Sequence, residues 1–204
     1  MSADRKLQNK PRLSRRELVI SGSAAAGLFL LGAAAKAQKA PALIRPPRVE
    51  DEEKFLSLCV KCGRCLSVCP TNVIGLASVV DGFKNIRTPV MDYRRGGCEF
   101  CDKCIEVCPT GALEAYEGET CNIGLAELTE VCIALRTGGC TKCHDECPYE
   151  AVILDEKKRP SIDAAKCNGC GKCVSACPAL VFQSFGSKKV RGIQVVPRKE
   201  GVQA

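Results

Sequence analysis

Sixteen of the seventeen cysteines in this 204-residue chain fall into four short sets. Cys59, Cys62, Cys65 and Cys69 end at Pro70, Cys98, Cys101, Cys104 and Cys108 end at Pro109, and Cys167, Cys170, Cys173 and Cys177 end at Pro178. Each of these three is a C-x2-C-x2-C-x3-C-P run, the ligand pattern of bacterial [4Fe–4S] sites. A cubane cluster presents four iron corners, each needing one thiolate. Two-residue spacers let one tight loop bring three sulfurs to three corners, and the proline then turns the chain away. In two-cluster ferredoxins the fourth cysteine of a run serves the other cluster. Each run is therefore part of a site, and runs must pair.

The remaining set is irregular. Cys140, Cys143 and Cys147, followed by Pro148, keep the last spacings, but position 137, where the first cysteine belongs, is Thr137. Two cysteines lie upstream, Cys121 and Cys132. Cys132 directly follows a strand candidate, where the other runs place their first ligand, so Cys132 is read as the ligand and Cys121 as the spare. A spare thiol is most often a small buried hydrophobe. The set then runs over 132–148. His144, the one histidine of the chain, sits beside an already complete cysteine set and is read as solvent-facing.

These loops need elements to hold them. Each run carries a helical turn and is followed by a short apolar strand candidate: Val73–Leu76, Gly111–Leu113, Ala151–Leu154 and Leu180–Phe182. Pro89–Met91, Glu127–Thr129 and Ser161–Asp163 are strand candidates ahead of the later runs. The repeat of strand, cysteine loop, helical turn and strand indicates a duplicated supersecondary unit. The fold class is α+β: tandem ferredoxin-like 2[4Fe–4S] modules, small and cluster-stabilised, after an N-terminal signal segment. With six Phe, three Tyr and no Trp, the chain has little aromatic material for a conventional core. A Cys-rich chain of this kind depends on its metal centres.

The net charge of +7 is concentrated at one end. Residues 1–37 hold seven cations against Asp4 and Glu17, which leaves the remainder at +2. Thiolate clusters add negative charge to that remainder, and no basic patch interleaved with aromatics is present, which excludes nucleic-acid binding. In 1–37, Arg15-Arg16 precede an apolar stretch from Leu18 to Ala35, and Ala35-Lys36-Ala37 supplies a cleavage pattern. Paired arginines there point to the twin-arginine route, with the apolar stretch a possible membrane anchor if uncleaved. A chain that folds around its clusters before crossing into an oxidising compartment keeps its thiols from forming disulfides. Residues 38–54, with Pro41, Pro46 and Pro47, read as a linker. The four-cluster region is 55–182, and 183–204 is a basic tail read as a solvated, frayed end.

Competing chemistries fit less well. Zinc sites usually separate cysteine pairs by long spacers, and cysteines two residues apart in one loop pair awkwardly as disulfides. With one histidine and no glycine-rich phosphate loop, no catalytic constellation emerges. The reading is an electron carrier with four [4Fe–4S] clusters, not an enzyme, with the sixteen cysteines of the four sets as iron ligands.

The order of features resembles the ferredoxin-type proteins of the NapG/MauM family. The features are Arg15-Arg16, Ile44-Arg45-Pro46-Pro47 before Cys59, the first two cysteine sets, Gly124-Leu125-Ala126 before Cys132, the irregular third set and the intact fourth. The second run has a two-residue spacer where some nitrate-system members carry a longer one. The resemblance supports Cys132 over Cys121. It implies a periplasmic carrier that takes electrons from a membrane-bound quinol-oxidising iron–sulfur protein toward a periplasmic multihaem cytochrome or terminal reductase. A role in assembling or maturing a periplasmic redox enzyme is the alternative within the family. Nineteen residues separate Cys147 from Cys167 and 28 separate Cys69 from Cys98, so sequential pairing of runs is feasible. The chain also resembles the four-cluster subunits of molybdoenzymes, in which runs one and four pair and runs two and three pair. That nested arrangement is the expectation here.

Overall fold

The computed structural model of the protein describes residues 43–47, 49, 51–114, 121–181 and 190–198. The signal segment read over 1–37 lies outside them. The described residues all belong to one compact unit, 41–204. None of their helices is long and apolar enough to cross a membrane.

The elements are short because the cysteine loops interrupt them. Helix α1 spans Glu52–Leu58. The Asp51 carboxylate caps it by accepting from the amides of Glu53 and Lys54 at 2.8 and 3.2 Å, and Glu52 and Glu53 put negative charge in the first turn. Its buried residue is Phe55. Helical turn α2 (Arg64–Ser67) lies inside the first run. Strand β1 (Ile74–Leu76) then pairs antiparallel with β2 (Pro89–Met91), with Ile74 opposite Met91, and two 3-10 turns, Val79–Asp81 and Phe83–Asn85, connect them. Turn α3 (Lys103–Glu106) lies inside the second run.

The second half repeats this plan with additions. It contains β3 (Leu125–Leu128), α4 (Ile133–Thr137), α5 (Lys142–Asp145), β4 (Val152–Leu154), β5 (Pro160–Ile162), α6 (Lys172–Ala176), β6 (Leu180–Val181), β7 (Val190–Arg191) and β8 (Ile193–Val196). β4 pairs with β5, β6 with β7, and β3 with β8, all antiparallel. The described residues thus form a mixed α+β fold of four two-stranded sheets and short helices. The core is thin and built largely around thiols: Phe55, Val73, Ile74, Leu113, Val152 and Ile193 cluster with Cys104, Cys143 and Cys173.

Three sequence expectations need correction. Gly111–Leu113 form no strand, although Ala112 and Leu113 are buried. The linker reading of 38–54 fails over its described part. Arg45 is buried, and its guanidinium donates to Thr88 Oγ1 at 2.8 Å, Pro89 O at 2.9 Å, Asn85 Oδ1 at 2.9 Å and Glu52 Oε2 at 2.9 Å. It also lies 4.9 Å over the Phe55 ring, and Ile44 O accepts from the Met91 amide. The prolines break regular structure here, yet the segment packs, because Arg45 gathers the carbonyls and hydroxyl that the connection between β1 and β2 leaves over. The tail is not frayed over 190–196. β8 alternates, with Ile193 and Val195 buried and Gln194 exposed, the period expected of a strand with one covered face. The basic residues around this alternation hid it.

Candidate iron–sulfur sites

Four cavities in the described chain are each lined by four cysteines. Cys59, Cys62 and Cys65 share one with Cys108. Cys98, Cys101 and Cys104 share the next with Cys69. Cys132, Cys140 and Cys143 share the third with Cys177, and Cys167, Cys170 and Cys173 share the fourth with Cys147. The four hollows are similar in size. In every case the fourth cysteine crosses to the partner run. The pairing is sequential, runs one with two and three with four, which overturns the nested expectation. The turns inside the runs explain it: α2 packs on α3 and α5 on α6.

Cys132 lines the third cavity, whereas Cys121 is in none of these four linings. Cys132 reaches the cavity because it is the N-terminal flank of α4, whose C-terminal Thr137 and the glycines after it return the chain to Cys140. Cys121 is near enough to Cys98 to help raise its pKa. His144 is half exposed on α5, with Nδ1 3.5 Å from the Asp145 carboxylate, and lines none of the four cavities.

The backbone around the thiols has a repeating conformation. In the first run Lys61 and Gly63 have φ of 57° and 74°; in the second Phe100 and Asp102 have 53° and 55°; in the fourth Gly169 and Gly171 have 74° and 75°. The same two loop positions are thus left-handed in all three intact runs, which curls successive amides toward the cavity. Lys61, Phe100 and Asp102 take this conformation without being glycine, so residue type did not reveal it. In the irregular run Gly139 keeps the first of these positions at 81°, while Thr141, at −114°, abandons the second.

Amide and hydroxyl donors approach the sulfurs. The Phe100 amide donates to Cys98 Sγ at 3.4 Å, the Ala126 amide to Cys167 Sγ at 3.4 Å and the Ala151 amide to Cys147 Sγ at 3.3 Å. Thr71 Oγ1 lies 3.6 Å from Cys69 Sγ, and Thr110 Oγ1 lies 3.8 Å from Cys108 Sγ. The recurrence of Cys-Pro-Thr at 69–71 and 108–110 was the available sequence signal for both threonines.

The thiols divide electrostatically into two kinds. Burial, followed by neighbouring thiols, pushes Cys104 up to about 12 and Cys143 up to about 11. Burial first also pushes Cys98 up to about 12 and Cys65 up to about 11, and raises Cys173 further. The crossing cysteines behave oppositely in the first half. For Cys69, burial is outweighed by the Thr71 hydroxyl and the amides of Ile74, Val73 and Thr71, and its pKa falls. For Cys108, burial is outweighed by the amides of Leu113 and Thr110, the Thr110 hydroxyl and the Ala112 amide. The apolar segment after each of these runs therefore supplies amides to the crossing sulfur. Four thiolates gathered in one partly buried cavity repel one another, and iron removes that repulsion while giving each sulfur a ligand role. The donor set of each cavity fits a [4Fe–4S] group. No disulfide joins the described cysteines, and no three His, Cys, Asp or Glu among the described residues converge on a single-ion site.

Residues 58–112 and 136–181 each match the 4Fe-4S dicluster domain. The first span holds runs one and two, and the second holds run four with the last three cysteines of set three, in agreement with sequential pairing. Over 197 residues the chain is 34% identical to the ferredoxin-type protein NapG of Escherichia coli K12, covering 87% of this chain and 85% of that protein. It is 33% identical over 212 residues to the methylamine utilization ferredoxin-type protein MauM of Methylorubrum extorquens, covering 93% and 91%. It is 28% identical over 145 residues to the ferredoxin-type protein NapF of Escherichia coli K12, covering 69% and 84%.

Proposed function

This chain belongs to the family of ferredoxin-type 4Fe-4S electron-transfer proteins that includes NapG and MauM, and from that premise we propose that it carries electrons through four [4Fe–4S] clusters held by sixteen of its cysteines. The observation that carries this reading is the set of four cavities, each lined by three cysteines of one run and the last cysteine of its partner. When bound, the clusters supply one-electron redox chemistry. The chain's own contribution is to hold four thiolates around each cavity, to shield them with the thin apolar core, and to aim amides at the sulfurs. Amide donors stabilise the more negative, reduced state and so raise potential. Carrying an electron through the clusters requires no acid, base or nucleophile.

The same reading places the protein in the periplasm, exported folded through the twin-arginine signal at 1–37. It would accept electrons from a membrane-bound quinol-oxidising iron–sulfur protein and deliver them to a periplasmic multihaem cytochrome or reductase. What supports this is the family membership together with Arg15-Arg16 and the apolar stretch behind them. The test is anaerobic purification of the mature protein. A brown preparation whose visible absorption bleaches with dithionite, with about sixteen irons and sixteen sulfides per chain, is the expected result. A colourless protein, or one with zinc in place of iron, would sink the reading.

A further inference from the structure

Within each pair of runs, the crossing cysteines tie two sites together covalently: Cys69 and Cys108 in one half, Cys147 and Cys177 in the other. No cysteine crosses between the halves, so the bonded route from one to the other is the long stretch of backbone from Cys108 to Cys132, and a non-covalent contact offers a shorter one. The described residues offer one place where it is close. The Cys98 amide donates to the Cys170 carbonyl at 2.7 Å. Cys98 lines the second cavity and Cys170 the fourth. The two ligands are therefore joined directly, sulfur to side chain to backbone, across one hydrogen bond, and back to sulfur.

Further contacts hold this bridge. Tyr93, almost fully buried, donates its phenol to the Gly169 carbonyl at 2.8 Å. Its ring lies so close to Gly171 that a Cβ there would fall 1.9 Å from Tyr93 Cδ1. Gly97 allows the matching approach from the other side, since a Cβ on it would meet the Lys172 backbone N at 2.9 Å. Phe100, which lines the second cavity, packs edge-on against Tyr149, which lines the fourth, with ring centroids 6.4 Å apart. Backbone, phenol and aromatic pair all converge on the second and fourth sites.

We propose that electrons cross between the halves through the Cys98–Cys170 hydrogen bond, so that the sites are used in the spatial order first, second, fourth, third, and that Tyr93 is the positioning residue that holds the bridge closed. This rests on the four-cluster reading above. In the crossing step one electron leaves the site of Cys69, Cys98, Cys101 and Cys104 and enters that of Cys147, Cys167, Cys170 and Cys173, or the reverse. One site is oxidised and the other reduced by one electron, with no bond made or broken and no proton transferred. The third run, though earlier in sequence than the fourth, is then an end of the path.

The test uses the full, cluster-loaded protein. Paramagnetic resonance of the dithionite-reduced protein reads magnetic interaction between the halves. Cys173→Ala, which removes the fourth site, should abolish that interaction, and Cys143→Ala, which removes the third, should leave it. Because ligand variants can fail to fold, Tyr93→Phe is the second arm. It keeps the ring and loses one hydrogen bond, which should raise hydrogen exchange at the Cys98 amide by roughly 2- to 12-fold and slow equilibration between the halves after flash photoreduction, with iron content unchanged. His144→Ala, on an exposed surface, should change neither. If the interaction survives Cys173→Ala or vanishes in Cys143→Ala, the proposed order is wrong; if Tyr93→Phe leaves both amide exchange and equilibration at wild-type values, Tyr93 does not hold the bridge. A wild-type protein holding fewer than four clusters overturns the underlying reading instead, and iron analysis distinguishes the two failures.

Discussion

Cys69 and Cys108 have exchanged places: each ends its own run but lines the cavity of the other. Each also receives a threonine hydroxyl from two residues on. The exchange makes the two runs one folding unit, because neither site can be completed until both loops are in place.

Substituting Cys69 therefore damages a site in a different run. Cys69→Ala should leave the site of Cys59, Cys62 and Cys65 loaded and should deplete or convert the one at Cys98, Cys101 and Cys104, with a loss of up to about four irons per chain. Iron analysis, combined with resonance spectra of the oxidised protein in which a three-iron form would show, checks it. Loss confined to the first run's site would contradict the exchange.

The two candidates for the first position of the irregular set, Cys132 and Cys121, differ in the same assay. Cys132 shares its cavity with Cys140, Cys143 and Cys177. Cys132→Ser should lower iron by up to about four per chain, while Cys121→Ser should keep the wild-type iron content and visible spectrum. The reverse pattern would transfer the ligand role to Cys121.

Which cysteines gather around the cavities was largely legible in the sequence, because a thiolate cluster demands a fixed spacing and that spacing is present in Cys59–Pro70, Cys98–Pro109 and Cys167–Pro178. Even the place of Cys132 in the third cavity was readable, from its position after a strand candidate. Pairing was not readable. Any crossing cysteine looks alike in one dimension, and only the packing of α2 on α3 and of α5 on α6 decides which cavity Cys69 or Cys147 enters. Arg45 and strand β8 were hidden for a different reason. Prolines and cations signal solvent exposure on average, but Arg45 is buried against three hydrogen-bond acceptors some forty residues away in sequence, and β8 against β3, some seventy residues earlier.

Arg45 anchors the segment before the first run. Its guanidinium meets Asn85, Thr88, Pro89 and Glu52 at once and covers Phe55. Arg45→Ala leaves these acceptors without their donor and should destabilise the first half by about 2–4 kcal/mol, more than an exposed ion pair would contribute. Arg45→Lys should recover little, since an ammonium cannot reach a fan of acceptors as a planar guanidinium does. Denaturant unfolding of the anaerobic holoprotein, followed by loss of visible absorption, measures it. A variant within about 0.5 kcal/mol of wild type, the range of ordinary surface changes, would show that this network is dispensable.

The C-terminal strands give the most local test of how the second half is held. β8 covers β3 in register from Leu125 opposite Val196 to Leu128 opposite Ile193, burying Ile193 and Val195. Arg191 Nη1 donates to the carbonyls of Val174, Ser175 and Cys177 at 2.7, 2.8 and 3.0 Å, tying β7 to the end of α6. A chain stopped after Lys189 loses both. Burial of the two aliphatic side chains alone is worth roughly 3–6 kcal/mol, comparable to the stability of a small domain. The truncated protein should hold only the clusters of the first and second runs, about eight irons, with the third and fourth sites unloaded and that half open to proteolysis. Arg191→Ala in the full chain should weaken the same half by about 1–3 kcal/mol without preventing loading, because it strands three carbonyls and removes no apolar cover. A truncated chain that still binds all four clusters would mean that the thiolate–iron bonds fold this half without β8.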